Sequence, residues 1–288
     1  MRWLGGRESG NIEDRRGSGG GGGLAIGGGI GTVIIALVYM LLGGDPSEVL
    51  NRTSSTDSPT MPGSQVRQPA ADDKAAKFTS VVLANTEDVW RKLLTDQGQR
   101  YQPPALVLFR QQTQSACGVA SEASGPFYCP GDKKLYIDLS FYDELQNRFQ
   151  APGDFAMAYV IAHEVAHHLQ DEWGTLDKVH QAQGQMREAD ANRLSVRLEL
   201  QADFLAGVWA HHAQKMNNIL EPGDIEEALT AANAIGDDRI QRASQGYVVR
   251  DGFTHGSSAQ RVYWFKKGFE TGDINQGDTF NSREDARL

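Results

Sequence analysis

Residues 154–172 read DFAMAYVIAHEVAHHLQDE. An apolar run on both sides of His163 marks this stretch as a buried helix, opened by Asp154 after the Pro152-Gly153 break. Inside it stands His163-Glu164-Val165-Ala166-His167. Residues four apart share a helix face, so both imidazoles can reach one ion. Glu164 lies beside that face. Zinc lowers the pKa of a bound water toward about 7, so a carboxylate there can take its proton at neutral pH. These are the residue types of amide hydrolysis, and we expect one Zn2+ per chain. His168 lies about 140° around the helix from His163 and is expected to be structural.

Two histidines need a third ligand. The extended pattern HExxHxxGxxH is excluded, because Gln170 and Trp173 occupy its last two positions. The segment RLELQADFLAGVWAHH offers Glu199 and Asp203, one turn apart on an otherwise apolar helix. Acids facing a protein interior are costly unless paired or bound to metal. Glu199 is therefore expected as ligand, with Asp203 receiving the second N–H of a ligand histidine. A solvated face pairing with Arg193 and Arg197 is the plainer alternative. His211 and His212 are rival ligands. Glu199 and His211 lie roughly 18 Å apart along one helix, so both cannot serve one ion.

Around this centre the pattern predicts helices at 73–96, from Ser140 to Phe149, at 187–215, 223–234 and 257–269, the last capped by Ser257. Strands are expected at 105–110 and 133–139. The order is α+β, mostly helical with a small sheet. LYIDLSF is a candidate edge strand for an extended substrate. For a developing oxyanion, His255 is the first candidate donor, followed by Tyr136, Tyr142 and Tyr263.

The chain has 288 residues and a net charge of −9, which argues against a nucleic-acid partner. Residues 1–23 are polar, then glycine-rich, and read as a cytoplasmic tail. Residues 24–42, LAIGGGIGTVIIALVYMLL, carry no charge and would span roughly 28 Å as a helix. A transmembrane helix is expected there, rather than a core helix or a cleaved signal. Arg7, Arg15 and Arg16 precede it and only Arg52 closely follows, which places the N-terminus in the cytoplasm. Residues 43–72 read as a linker, and 73–288 as the folded domain. That places the domain outside the cytoplasm, in the periplasm on the inner membrane. Cys117 and Cys129 enclose a short loop in that oxidising compartment and are expected to form a disulfide.

HEVAHHLQ, RLELQADFLAGVW, GPFYCP, LYIDLSFYDEL, FTHGSSAQRVYWFKKGF and the opening MRWLGGRESGNIEDRR together resemble the bacterial family of "putative neutral zinc metallopeptidases". The resemblance implies a zincin-like metallopeptidase fold, zinc on His163, His167 and Glu199, and Glu164 as base. Relatives of that kind often carry a cysteine where Phe204 stands and another near Gln276, and both are missing here. The expected function is a membrane-anchored endopeptidase acting on peptides or proteins. The alternatives are a non-catalytic zinc-containing binding protein and an amidase of cell-wall peptides.

Overall fold

ALVLF and KLYID are nearly continuous apolar runs, and such runs suit parallel strands covered on both faces. The computed structural model describes residues 1–17 and 70–281. In it the two runs are β2 (Ala105–Phe109) and β6 (Lys134–Asp138), paired in parallel from Ala105 opposite Lys134 to Phe109 opposite Asp138. β1 (Ile12–Asp14) adds in parallel to β2, and β5 (Phe127–Cys129) adds antiparallel to β6, giving the order β1-β2-β6-β5. A hairpin of β3 (Gln112–Ser115) and β4 (Gly118–Ser121) stands apart from this sheet. Cys117, in its turn, is disulfide-bonded to Cys129 at the end of β5.

The helices are α1 (Ala70–Asp96), α2 (Phe141–Asn147), α3 (Asp154–Glu172), α4 (Thr175–Gln183), α5 (Glu188–Asn217), α6 (Asp224–Ala234), α7 (Asp237–Gln245) and α8 (Ser258–Thr271). The α+β expectation holds. α3 runs through the core, with every residue from Phe155 to Ala166 buried, and packs on α1, α5 and α6. α5 and α8 approach more closely, through paired glycines. A Cβ on Gly207 would lie 2.1 Å from the Phe265 carbonyl oxygen, and one on Gly268 2.0 Å from that of Phe204. Ser257 caps α8 in a reciprocal box with Gln260, as its position suggested. Gly153, not Asp154, is the N-cap of α3, because Asp154 turns to the Met1 ammonium (2.5 Å). Phe204 packs on Gly277, where an added Cβ would meet its ring at 2.5 Å.

The N-terminal residues are where the sequence reading needs correcting. They do not form a separate tail. Trp3 is buried and meets Phe78 edge-on at 5.3 Å. Arg7 reaches Glu87 (3.0 Å) and Asp88 (2.7 Å) on α1, Ser9 and Asn11 both donate to Glu87, and β1 extends the sheet. A polar, glycine-bearing segment hides this role because its strand is three residues long. Residues 1–14 and 70–281 thus pack as one body. The expected span, 24–42, lies outside the described residues. No helix among the described residues is long and apolar enough to cross a membrane.

Candidate metal centre

His163 and His167 face Glu199 across the α3–α5 contact. The Nε2 atoms of the two rings lie 3.1 Å apart, and the Glu199 carboxylate oxygens lie 3.1 Å from His163 Nε2 and 3.5 Å from His167 Nε2. One donor atom from each of the three falls within 4.8 Å of the others.

The partners of the far ring nitrogens decide what this geometry means. His163 Nδ1 lies 2.9 Å from Asp203 Oδ1, a carboxylate, so this nitrogen carries the hydrogen. His167 Nδ1 lies 2.8 Å from Gln170 Oε1. The amide of Gln170 is oriented by its other end, where Nε2 donates to the Leu198 carbonyl (2.7 Å) and to Gln201 (3.1 Å). Both rings therefore hold their hydrogen on Nδ1, and in the neutral form both Nε2 lone pairs point at each other and at a carboxylate. In that form three acceptors face one another with no donor between them, and the cluster draws positive charge, either a proton or a metal ion. When no metal is bound, a proton on the rings supplies that charge. Burial opposes charge on His163, but Asp203 and Glu199 outweigh it and raise the ring to about 10. Burial likewise opposes charge on Glu199, but His167 and His163 hold it well below the usual carboxylate range. The donor set, two imidazoles and one carboxylate, fits zinc.

Glu164 is buried beside the cluster, and burial raises its carboxyl. The Tyr128 backbone amide of β5 faces it and favours the ionised form. Main-chain groups alternate along a strand, so 126, 128 and 130 turn the same way, and 126 and 130 are prolines. The outer edge of β5 therefore offers carbonyls but no free N–H. LYIDLSF is not the edge strand. β6 lies between β2 and β5, and β5 is the strand beside Glu164.

His255 stands at the end of the α7–α8 loop. Its Nδ1 lies 3.2 Å from Asp237 Oδ1. Asp237 is fully buried, and its Oδ2 accepts the N–H groups of Thr254 (2.8 Å), His255 (2.7 Å) and Gly256 (2.9 Å). Gly256 sits on α5 against Val196 and Leu200, which flank Glu199 in sequence. Burial opposes charge on His255, yet Asp237 and then Glu199 raise it.

The rival residues are accounted for elsewhere. His211 Nδ1 and His212 Nε2 each lie 2.8 Å from a carbonyl near the end of α8, those of Phe269 and Gly272. His168 bridges the Gln102 carbonyl (2.7 Å) and the Tyr128 hydroxyl (3.3 Å), as its angle on the helix implied. Arg193 pairs with Asp190 and Asp251 instead of Glu199. Tyr136 donates to Asp132, Tyr142 bonds Thr79, and Tyr263 rests on Trp264. A second acidic group, Asp154, Asp224 and Glu227, is hydrogen-bonded by the Met1 ammonium and the Phe155 amide. Gln170, Tyr159, Asp237 and Arg261 were missed from sequence. Gln170 was legible, since it follows His167 by three on one helix face. Arg261 shares the helical spacing of Trp264, Phe265 and Gly268, a charge on an otherwise buried face.

The model of the family described as "Putative neutral zinc metallopeptidase" matches residues 1–280. The chain belongs to this family. "Uncharacterized protein YpfJ" of Escherichia coli (strain K12) is 49% identical over 285 residues, covering 97% of this chain and 99% of that one. "Uncharacterized protein Rv2575" of Mycobacterium tuberculosis (strain ATCC 25618 / H37Rv) is 43% identical over 261 residues, 85% of this chain and 86% of that one. No solved structure matches the chain. The family match runs through residues 1–17 as well as the site, in keeping with their place in the folded body.

Proposed function

We propose that the chain is a zinc-dependent endopeptidase that binds one Zn2+ through His163 Nε2, His167 Nε2 and Glu199. The observation that carries this reading is the convergence on the Glu199 carboxylate of two imidazole Nε2 atoms whose Nδ1 hydrogens are already committed to Asp203 and Gln170. Zinc supplies Lewis acidity to the carbonyl and to the attacking water. The remaining work falls to the chain's own groups. Glu164 takes the proton of the attacking water and returns it to the leaving nitrogen. Its raised carboxyl, buried beside two rings, suits both halves of that transfer. His255, oriented through Nδ1 by Asp237, presents Nε2 to the oxygen on which negative charge develops. An extended peptide lying along β5 meets carbonyls there, so its own N–H groups do the donating. Membrane association through 24–42 is supported by the apolar sequence, and an oxidising compartment by the Cys117–Cys129 bridge. The packing of Trp3, Arg7 and β1 favours that same compartment for the first seventeen residues.

The test uses the full chain in detergent, because β1 and Trp3 belong to the core. The wild type should bind one zinc and cleave members of a mixed peptide library. Glu164→Gln should keep the zinc and lose cleavage by at least about 100-fold, the scale of a general base. Undiminished cleavage by that variant removes Glu164 from the mechanism. No cleavage by zinc-loaded wild type would reject the peptidase reading.

A further inference from the structure

Asp203 is a fully buried carboxylate with four donors around it. Oδ1 accepts from His163 Nδ1 (2.9 Å), Tyr159 OH (2.5 Å) and Arg261 Nη2 (3.0 Å), and Oδ2 accepts from Arg261 Nε (2.8 Å). Arg261 is itself 2% exposed. Its Nη2 also reaches the Tyr159 hydroxyl (3.2 Å) and lies 3.5 Å from His163 Nδ1, and its Nη1 donates to the Ile235 carbonyl (3.3 Å) after α6. One guanidinium on α8 thus touches α3, α5 and the end of α6.

We infer that Arg261 is a positioning residue for the metal centre, its planar fork holding Asp203 so that Oδ1 stays aimed at His163 Nδ1 and Nε2 stays turned to the ion. This rests on the zinc reading above. A fork that bonds both carboxylate oxygens stops the group rotating about its own axis, which a single bond would allow. Tyr159 shares Oδ1 but cannot restrain Oδ2. The arginine also cancels the charge of Asp203, so the acceptor behind His163 is a neutral pair rather than a lone buried anion. A lysine would keep the charge and lose the fork. Asp203 alone explains why His163 has an acceptor. Arg261 explains why that acceptor has one orientation.

A purely structural ion pair, holding α8 against α3 and α5, predicts different results, and four full-length variants separate the two. Zinc affinity is read by chelator competition, stability by thermal unfolding, and the His163 Nδ1–H as a downfield ring-proton resonance in metal-free protein. Arg261→Met should lose stability as well as zinc affinity, since it strands Asp203. The double variant Arg261→Met with Asp203→Leu should regain stability, as removing both partners of a buried pair commonly does, yet stay about 10–100-fold weaker for zinc. Arg261→Lys should fold and bind zinc about 10-fold more weakly, with the His163 resonance broadened or lost. Asp203→Asn should fold and lose the same resonance's downfield shift. Wild-type zinc affinity in the double variant, or an unchanged resonance in Arg261→Lys, overturns the inference. If the wild type binds no zinc but its resonance still depends on Arg261, the zinc reading falls and the positioning role stands.

Discussion

At the scale of single residues, the metal centre is a problem of hydrogen bookkeeping. His163 and His167 do not converge because histidines attract one another. They converge because Asp203 and Gln170 each claim an Nδ1 hydrogen and leave the Nε2 lone pairs facing inward. Glu199 then completes an all-acceptor cluster that needs positive charge. The same logic makes His255 testable without any metal. Its folded-state pKa is raised, with burial opposing and Asp237 prevailing. A raised histidine contributes stability that is full below the unfolded value of about 6.5 and fades as pH rises through the folded one. The stability difference between wild type and His255→Gln should therefore be largest below about pH 6.5 and shrink on the alkaline side. Urea unfolding across pH decides it, and a difference that grows with pH would refute the pairing.

At the scale of elements, the α5–α8 contact places Asp203 and Arg261 within reach of each other. Gly207 and Gly268 let the two backbones touch, and a methyl at either would press on backbone rather than on a pliable side chain. Gly207→Ala and Gly268→Ala should each lower unfolding stability by about 1–3 kcal/mol or more, despite the better helix propensity of alanine. Zinc affinity should fall with them, because separating these helices pulls the arginine from Asp203. A stability gain on urea unfolding would mean that the helices sit further apart. The periodicity of α5 and α8 is plain in the sequence, and Ser257 reads as a cap. Their mutual approach was not legible, because a glycine within a helix signals closeness without naming the partner.

At the scale of the whole molecule, the first seventeen residues and the domain beyond residue 70 share one core. Deleting 1–17 would uncover Phe78, Glu87 and the outer side of β2, so the shortened chain should unfold at a lower temperature and lose cooperativity. The topology has a direct check. Single cysteines at Gly10 and Gly98, introduced into the full chain in native membranes, should react with an impermeant thiol reagent from the same side. Labelling from opposite sides would show that 1–17 leave the domain.

The sequence by itself determined which residues could form the candidate metal centre. His163, Glu164 and His167 declare a face on a buried helix. Glu199 and Asp203 are too costly on an apolar helix to be idle, and Cys117 and Cys129 lie close enough to bridge. Each of these is a local spacing, and local spacing is what helix and loop geometry transmit. Only the tertiary structure decided the rest. β1 is three residues whose partner lies more than ninety positions away, and no periodicity marks so short a strand. β5 takes the edge that LYIDLSF was expected to hold, because sheet order depends on how the connections pack. Arg261 reaches Asp203 across 58 residues of chain. A buried charge announces that it needs a partner, and which partner it finds is settled only when the helices carrying both are packed.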